Sequence, residues 1–228
     1  MIDLVGGVPH CIGEVQALLF DMDGTLLDSD ACITRAWSDF AARRALPVAD
    51  VLSLVPGRTA AEIVSAFLPD ADDVRREVAH LQTFQLRHLE GIVAVRGALE
   101  LLSRLDGLPW AVVTSAPREV ARLRLRAAGL PAAPLLLADE DVQRSKPDPE
   151  GFLAAAAALG TDIGRCVVFE DSAAGLRAAH ASGAQVVALA PSAPVPDGVG
   201  LTVRDLREVR VRRDGQGHAV DLLRVQGP

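Results

Sequence analysis

The chain has 228 residues, half of them hydrophobic, and a formal net charge of −7 at pH 7. This length suffices for one substantial hydrophobic core and a small second unit. The acidic charge argues against nucleic acid and anionic membrane surfaces as partners, and no apolar stretch approaches the roughly 20 residues that span a bilayer. The N-terminal segment has neither a basic part nor a long apolar part, so we expect no signal peptide and a cytoplasmic protein.

The first predicted element is a buried strand over residues 15–20, and two aspartates follow it directly. Asp21 and Asp23 precede a glycine that turns the chain away. Burying acidic side chains is costly unless a cation or hydrogen bonds compensate, so this pair suggests a metal site. A plain turn is the alternative. A calcium loop of the EF-hand type is excluded, because Thr25 and Cys32 stand where that loop needs oxygen ligands.

Residues 29–94 contain helical patterns only. Thr59 and Glu62 have the spacing of a capping box, and either Asp72 or Asp73 is expected to open a longer helix. This stretch therefore predicts a helical insert that leaves the sheet just after the aspartate pair. The predicted domains are a core of residues 1–28 and 95–228 and a small second domain of residues 29–94, after which a helix over 97–105 returns the chain to the sheet.

Four further apolar runs predict parallel strands that alternate with helices. The runs are nearly continuous, as expected where helices cover both faces of a sheet. Alternating strands and helices predict a doubly wound α/β core with a mostly parallel sheet. The strands are expected at 109–114, 135–138, 165–170 and 185–189, and the helices at 117–128, 149–159 and 172–182.

The C-terminal part has a different pattern. Two short alternating runs, 209–212 and 219–222, flank the sequence from Asp214 to Gly217. Such a turn between two alternating runs predicts a β-hairpin. We expect this hairpin to extend an edge of the sheet.

Polar side chains gather at the predicted carboxyl ends of the strands, where ligands bind in open α/β sheets. A metal cation and a phosphate dianion would balance the charges of this set. Lys146 is the one lysine among 23 basic residues, which suggests a position that needs a compact ammonium group. The set comprises Asp21 and Asp23 after the first strand, Thr114 and Ser115 after the second, Lys146 after the third, and Glu170 and Asp171 after the fourth.

Each member of this set also has a structural alternative. Thr114 and Ser115 could cap the helix that follows them, and Glu170 and Asp171 could simply favour a helix dipole. Lys146 could be a solvated charge in a loop. These alternatives do not predict that all four groups fall at one edge of the sheet in this order.

The same residues resemble the four motifs of the haloacid dehalogenase-like superfamily. The helical insert is similar to the four-helix cap of one of its subfamilies, which contains many sugar-phosphate phosphatases. Within it, the chain most resembles bacterial sugar phosphatases related to the glycerol-3-phosphatase and 2-deoxyglucose-6-phosphatase group. The motifs are Asp21-Met22-Asp23-Gly24-Thr25-Leu26-Leu27-Asp28-Ser29, Val113-Thr114-Ser115, Ser145-Lys146-Pro147-Asp148-Pro149 and Phe169-Glu170-Asp171-Ser172.

The resemblance implies the chemical roles of these residues. Asp21 would be the nucleophile and form an aspartyl-phosphate. Asp23 would protonate the leaving alkoxide and then activate water. Mg²⁺ would bind the carboxylates of Asp21 and Asp171 and the backbone carbonyl of Asp23, with Glu170 assisting through water.

The remaining roles concern the phosphate and the rest of the substrate. Thr114 and the amide of Ser115 would hold phosphate oxygens, and Lys146 would neutralise charge on Asp21 and on the transferring group. Arg58, which follows Gly57 in the insert, is the residue expected to contact the substrate; its alternative is a solvated charge.

These roles predict a Mg²⁺-dependent phosphatase for a small sugar or polyol phosphate, acting as a monomer or weak homodimer. A sugar phosphate mutase of the β-phosphoglucomutase kind shares the core motifs. However, Ile33, Pro56 and Ala60 occupy the positions that correspond to its histidine, lysine and arginine in the cap. From a different class, a receiver-like or catalytically silent regulatory module stays open, since fold alone does not determine function.

Overall fold

The computed structural model describes residues 8–105, 107–190, 194–214 and 217–225. The strands in these ranges are β1 (Val8–Val15), β2 (Ala17–Phe20), β3 (Leu27–Asp28), β4 (Val93–Ala94), β5 (Trp110–Val113), β6 (Leu135–Leu137), β7 (Cys166–Glu170), β8 (Gln185–Leu189), β9 (Leu201–Val203), β10 (Val209–Asp214) and β11 (Gly217–Val225). The α-helices are α1 (Asp30–Arg43), α2 (Val48–Ser53), α3 (Ala60–Ser65), α4 (Ala71–Arg87), α5 (Ala98–Leu102), α6 (Arg118–Ala127), α7 (Glu150–Ala158) and α8 (Ala173–Ser182).

The main sheet has six parallel strands in the order β6-β5-β2-β7-β8-β9 in the described ranges. All four residues of β2 are buried, because its alternate side chains enter hydrophobic clusters on opposite faces of the sheet. Leu18 packs on one face and Leu19 on the other, and complete burial of each stabilises the fold by about 1.5–3 kcal/mol. The predicted α/β fold class is therefore confirmed.

The five predicted strands are all present, and the sheet has one more. β9 was not predicted, because three residues are too few for a hydrophobic pattern and its place is specified by pairing with β8. The helix expected over 97–105 is shorter and comprises Ala98–Leu102.

The C-terminal hairpin is confirmed, but its expected position was wrong. It does not extend the main sheet: β11 pairs antiparallel with β1 and with β10, and these three form a separate sheet. The N-terminal strand supplies the partner that we had not foreseen. The middle of the predicted turn, residues 215 and 216, lies outside the described residues.

Residues 29–94, all of them described, contain the four helices α1 to α4, which we call the helical insert. It has a hydrophobic cluster of its own that includes Trp37, Phe40 and Leu81. β3 and β4 pair antiparallel where the chain enters and leaves it. No helix in the described ranges is both long and apolar enough to cross a membrane. The division of the chain into two domains at these boundaries stays a prediction.

The capping signals of the insert were partly predicted. The Thr59–Glu62 capping box is present, with the Thr59 amide donating to Glu62 Oε2 at 2.8 Å. The longer helix does not begin at Asp72 or Asp73, because Asp70 caps it and accepts a hydrogen bond from the Asp73 amide at 2.9 Å. The prediction was wrong because Asp70, Asp72 and Asp73 have the same capping propensity, and the sequence pattern does not show which of them caps the helix.

An ion-pair cluster joins the end of α1 to α4. Glu77 accepts hydrogen bonds from Arg43 Nη2 at 2.6 Å and from Arg44 Nε at 2.8 Å. Burial raises the pKa of Glu77, but the hydrogen bonds and charges of the two arginines outweigh it and hold this pKa below its ordinary value. The cluster is therefore a pH-dependent source of stability in the insert.

We expect Glu77→Gln to lower the free energy of unfolding by about 1.5–3 kcal/mol at neutral pH, the usual contribution of hydrogen bonds to a charged group. A depressed pKa stabilises the fold above the unfolded-state value of about 4.3, and this stabilisation is lost as the pH falls through the folded-state value. Urea unfolding at neutral and acidic pH measures both effects. Glu90→Gln, at an exposed glutamate, is the control. An equal loss for Glu77→Gln at both pH values would contradict this account.

Candidate active site

A cleft of about 680 Å³ lies between the carboxyl ends of the central strands and the helical insert. The sequence predicted seven candidate residues at this edge and an eighth, Arg58, in the helical insert, and the structure brings all eight together. Lys146 is buried against Asp21, and the others line the cleft, namely Asp21, Asp23, Arg58, Thr114, Ser115, Glu170 and Asp171.

Asp21 and Lys146 form the buried centre of the site. The Asp21 amide donates to the Phe169 carbonyl oxygen at 3.0 Å, so the hydrogen bonding of the central strands continues to this residue. Lys146 Nζ contacts Asp21 Oδ1 and donates to Glu170 Oε1 at 3.0 Å and to the Val113 carbonyl oxygen at 3.2 Å. The lysine is 6% exposed, so the alternative of a solvated loop charge is wrong.

Three carboxylates lie close together at this end of the cleft, and two of them contact Lys146. Asp21, Glu170 and Asp171 each present an oxygen, and these oxygens lie within 4.8 Å of one another. Burial, reinforced by the Glu170 carboxylate, raises the pKa of Asp171 to about 7. Burial also raises the pKa of Asp21, against the opposing charge of Lys146. The oxygen donors and the excess negative charge fit a hard divalent cation such as Mg²⁺.

The pKa of Lys146 is also raised, although burial acts on an ammonium in the opposite direction. Burial lowers the pKa of Lys146, but the charges of Asp21 and Glu170 outweigh it and hold this pKa above its usual value. The ammonium therefore stays protonated at neutral pH and provides a permanent positive charge beside Asp21.

Two glycines make room for these carboxylates. A Cβ built on Gly175 would lie 2.1 Å from Glu170 Cδ, so only glycine allows this carboxylate to pack on the first turn of α8. Glu170 Oε2 also accepts a hydrogen bond from the Ser172 amide at 2.7 Å. A Cβ on Gly24 would lie 2.2 Å from Asp171 Oδ2, and Gly24 has a φ of +88°. These contacts explain why a glycine follows Asp23 and why the third residue of α8 is also a glycine.

The Asp23 side chain lies outside the three-carboxylate cluster. Its Oδ1 accepts a hydrogen bond from Ser29 Oγ, and its Oδ2 accepts one from Arg124 Nη1 at 2.8 Å. Sequence reasoning missed Arg124. A signal was available, because Arg124 falls on the buried face of α6 with Val120 and Leu125, where a charged side chain is unexpected.

The hydroxyls after β5 do not cap the following helix. α6 begins at Arg118, and no side chain caps it. Thr114 Oγ1 accepts a hydrogen bond from the Ala116 amide at 3.1 Å, and Ser115 Oγ donates to the Gly57 carbonyl oxygen at 3.4 Å. The helix-cap alternative is therefore wrong, and both residues line the cleft.

The helical insert contacts the core beside the site. A Cβ on Gly57 would lie 2.7 Å from the Ala174 Cβ, so the insert loop packs closely on α8. Ser145 Oγ donates to Glu62 Oε1 at 2.6 Å, which joins α3 to the residue before Lys146. Arg58 is exposed at the cleft.

Comparisons with known proteins show which family this chain resembles. A model of the haloacid dehalogenase-like hydrolase family matches residues 15–183. The chain is 37% identical to hexitol phosphatase A of Escherichia coli K12, over 90% of this chain and 98% of that protein. It is 36% identical to validoxylamine A 7'-phosphate phosphatase of Streptomyces hygroscopicus subsp. limoneus, over 86% of this chain and 96% of that protein.

A solved structure supports the fold. The β-phosphoglucomutase of Clostridium difficile matches with a TM-score of 0.77, over 86% of this chain and 93% of that chain. Its sequence identity of 18% limits this likeness to the fold. The family model and the two curated relatives cover most of the chain, and the predicted resemblance is confirmed. The chain belongs to the haloacid dehalogenase-like hydrolase family.

Proposed function

We propose that this protein is a Mg²⁺-dependent phosphatase that hydrolyses the phosphate monoester of a small sugar or polyol through an aspartyl-phosphate on Asp21. The observation that carries the proposal is the buried Asp21 carboxylate, which touches Lys146 and belongs to a cluster of three carboxylates at the cleft. A nucleophile of this kind, beside a fixed ammonium and a place for a divalent cation, suits phosphoryl transfer.

The relatives confirm the enzyme class, a phosphoric monoester hydrolase, since both are named as phosphatases. They also support the substrate class. One is named for hexitols, which are polyols, and the other for the phosphate of validoxylamine A. The particular alcohol is part of the proposal.

The first step forms the covalent intermediate. An Asp21 carboxylate oxygen attacks phosphorus as the bond from phosphorus to the leaving oxygen breaks, and Asp23 gives its proton to that leaving oxygen. Lys146 stabilises the negative charge, and Thr114 and the Ser115 amide hold phosphate oxygens. Bound by Asp21, Asp171 and the Asp23 carbonyl with support from Glu170, Mg²⁺ would offset the repulsion between carboxylate and phosphate dianion.

The second step restores the enzyme. Asp23, now a carboxylate, takes a proton from a water molecule as the water oxygen attacks the phosphorus of the aspartyl-phosphate. The bond from phosphorus to the Asp21 oxygen breaks, inorganic phosphate leaves, and Asp23 again carries the proton. Atoms and charge are balanced over the two steps.

Transfer to water is favoured over transfer to a second sugar hydroxyl. A mutase needs groups in the cap that hold a second phosphate. Among the residues of the insert that line the cleft, all of them described, Arg58 is the one cation, and its neighbours Val55, Pro56 and Ala60 are apolar. We propose that Arg58 contacts substrate hydroxyls rather than a second phosphate.

The decisive experiment is a panel of sugar, polyol and nucleotide monophosphates assayed with Mg²⁺. Release of inorganic phosphate together with the free alcohol, in many turnovers, supports the phosphatase. Accumulation of an isomerised sugar phosphate would show a mutase. A single equivalent of phosphate transfer without turnover of p-nitrophenyl phosphate would show a regulatory module.

Removal of divalent cations provides a separate prediction. We expect chelation with EDTA to reduce the turnover of any good substrate by at least about 50-fold, because three clustered carboxylates would then repel the phosphate dianion. Mg²⁺ should restore activity. Ca²⁺ should not, because its larger and looser coordination shell misplaces the nucleophile. Full activity after exhaustive dialysis against chelator, with metal content checked by mass spectrometry, would contradict the proposed cofactor.

A further inference from the structure

Arg124 is a buried cation with one anionic partner among the described residues. Its side chain is 3% exposed, although it lines the cleft wall, and Nη1 donates to Asp23 Oδ2 at 2.8 Å. The Nε of the same guanidinium is buried and has no hydrogen-bond partner among the described residues. A guanidinium held in this way loses its hydration in return for a single ion pair.

The surroundings of Arg124 do not require a charge. It lies on the buried face of α6 with Val120, Ala121 and Leu125, and the thiol of Cys32 from α1 is close to it. Replacing a buried ion pair by well-packed apolar residues is often neutral or stabilising. Stability of the fold therefore gives no reason for an arginine here, and the contact with Asp23 does.

We propose that Arg124 is a positioning residue for Asp23, an inference that rests on the proposed phosphatase function. Ser29 holds one oxygen of the Asp23 carboxyl group and Arg124 holds the other, which restricts rotation of a short side chain beside the cleft. The group that moves the proton thus keeps a defined place relative to the leaving oxygen. A displacement of about 1 Å can reduce a rate by about 100-fold.

The chemistry assigned to Arg124 is indirect. During the first step the proton passes from Asp23 to the leaving oxygen as the phosphorus–oxygen bond breaks, and in the second step Asp23 takes a proton from water. Arg124 keeps its own protons throughout and touches neither the phosphorus nor the leaving group. Its removal should therefore matter most where the leaving alkoxide needs a proton.

The test compares Arg124→Met with wild type on phosphate esters of alcohols that range from p-nitrophenol to simple polyols. Methionine fills similar space without charge. We expect kcat for polyol phosphates to fall by about 10- to 100-fold, while single-turnover phosphorylation by p-nitrophenyl phosphate changes by less than about 3-fold and KM stays nearly constant. Arg124→Lys should recover part of the loss, and Arg126→Met, at an exposed position of the same helix, should have no effect.

A double substitution separates positioning from general damage. If Arg124 acts through Asp23, then Arg124→Met should cause no further loss in an Asp23→Asn background. An equal loss in the single-turnover rate of enzyme phosphorylation by every ester, or a loss that adds fully to that of Asp23→Asn, would overturn the inference. If Arg124→Met does not fold, Arg124→Gln serves in the same comparisons, because its amide is neutral and can still occupy the site.

The same assays distinguish failure of this inference from failure of the proposed function. If wild type releases phosphate from none of the esters, the proposed function is wrong. The other outcome is that wild type is active and the phosphorylation rate of Arg124→Met depends on the leaving group in the same way as the wild-type rate. In that case the proposed function stands and only the role of Arg124 is wrong.

Discussion

Asp21→Asn is expected to lose at least about 10⁴-fold in kcat on polyol phosphates while it keeps the fold. Removing a covalent nucleophile from a preorganised site has effects of this size or larger. The amide is nearly isosteric with the carboxylate, and its oxygen can still accept from Lys146, which also keeps its hydrogen bonds to Glu170 and the Val113 carbonyl. The expected damage is therefore to the chemistry and not to the packing.

Three measurements check this expectation. Rapid-quench assays should show no phosphorylated enzyme in the variant, thermal unfolding should match wild type, and beryllofluoride should form its adduct on Asp21 of wild type. Asp50→Asn removes an exposed carboxylate from the insert and is the charge control. An active Asn variant, or an adduct on another residue, would disprove the assignment.

Lys146→Met should damage both activity and stability. The ammonium contacts Asp21 and Glu170, and its removal leaves these buried carboxylates without a counter-charge. Breaking a buried ion pair from one side destabilises a protein by about 3–5 kcal/mol. We expect kcat to fall by at least about 10³-fold, since charge stabilisation is the larger part of phosphoryl-transfer catalysis.

The effect of added Mg²⁺ on the melting temperature of this variant tests the electrostatic role of Lys146. A divalent cation bound at the carboxylates would partly replace the lost positive charge, so the melting temperature of Lys146→Met should rise with added Mg²⁺ more than that of wild type. Unfolding monitored by circular dichroism over a Mg²⁺ titration measures this difference. Equal responses of the two proteins would contradict an electrostatic role for Lys146 in this cluster.

Lys146→Arg tests whether the shape of the cation matters. The guanidinium is larger and directs its donors in a plane, whereas the ammonium here reaches three oxygens and lies 5.3 Å from the centre of the Phe152 ring. We expect a loss of at least about 10-fold in kcat, equivalent to roughly 1.4 kcal/mol of transition-state stabilisation. Kinetics close to wild type would mean that charge alone suffices.

Local signals predicted much of this molecule. The apolar run before Asp21 predicted a fully buried strand, and the spacing of Thr59 and Glu62 predicted a capping box. Both depend on residues that are neighbours in sequence. The gathering of strand-end residues was also predictable, because parallel strands place their carboxyl ends at one edge of a sheet.

Other features depend on partners distant in sequence. Asp23 and Arg124 are 101 positions apart, and nothing local to either one indicates the contact. The bond between Glu62 and Ser145 and the pairing of β1 with β11 are of the same kind. Sequence patterns predict which face of an element is buried, but they do not identify the residue that packs against it.

The helical insert has a hydrophobic cluster that shares no described residue with the two clusters of the core. Its residues facing the cleft, such as Val55 and Gln85, can therefore change without repacking the strand that presents Asp21. Evolution toward a new alcohol would then proceed by mutation of the insert, at little risk to phosphate chemistry. Mutant libraries confined to that face should retain a larger fraction of active clones, with altered preferences, than libraries at the ends of β2 and β7.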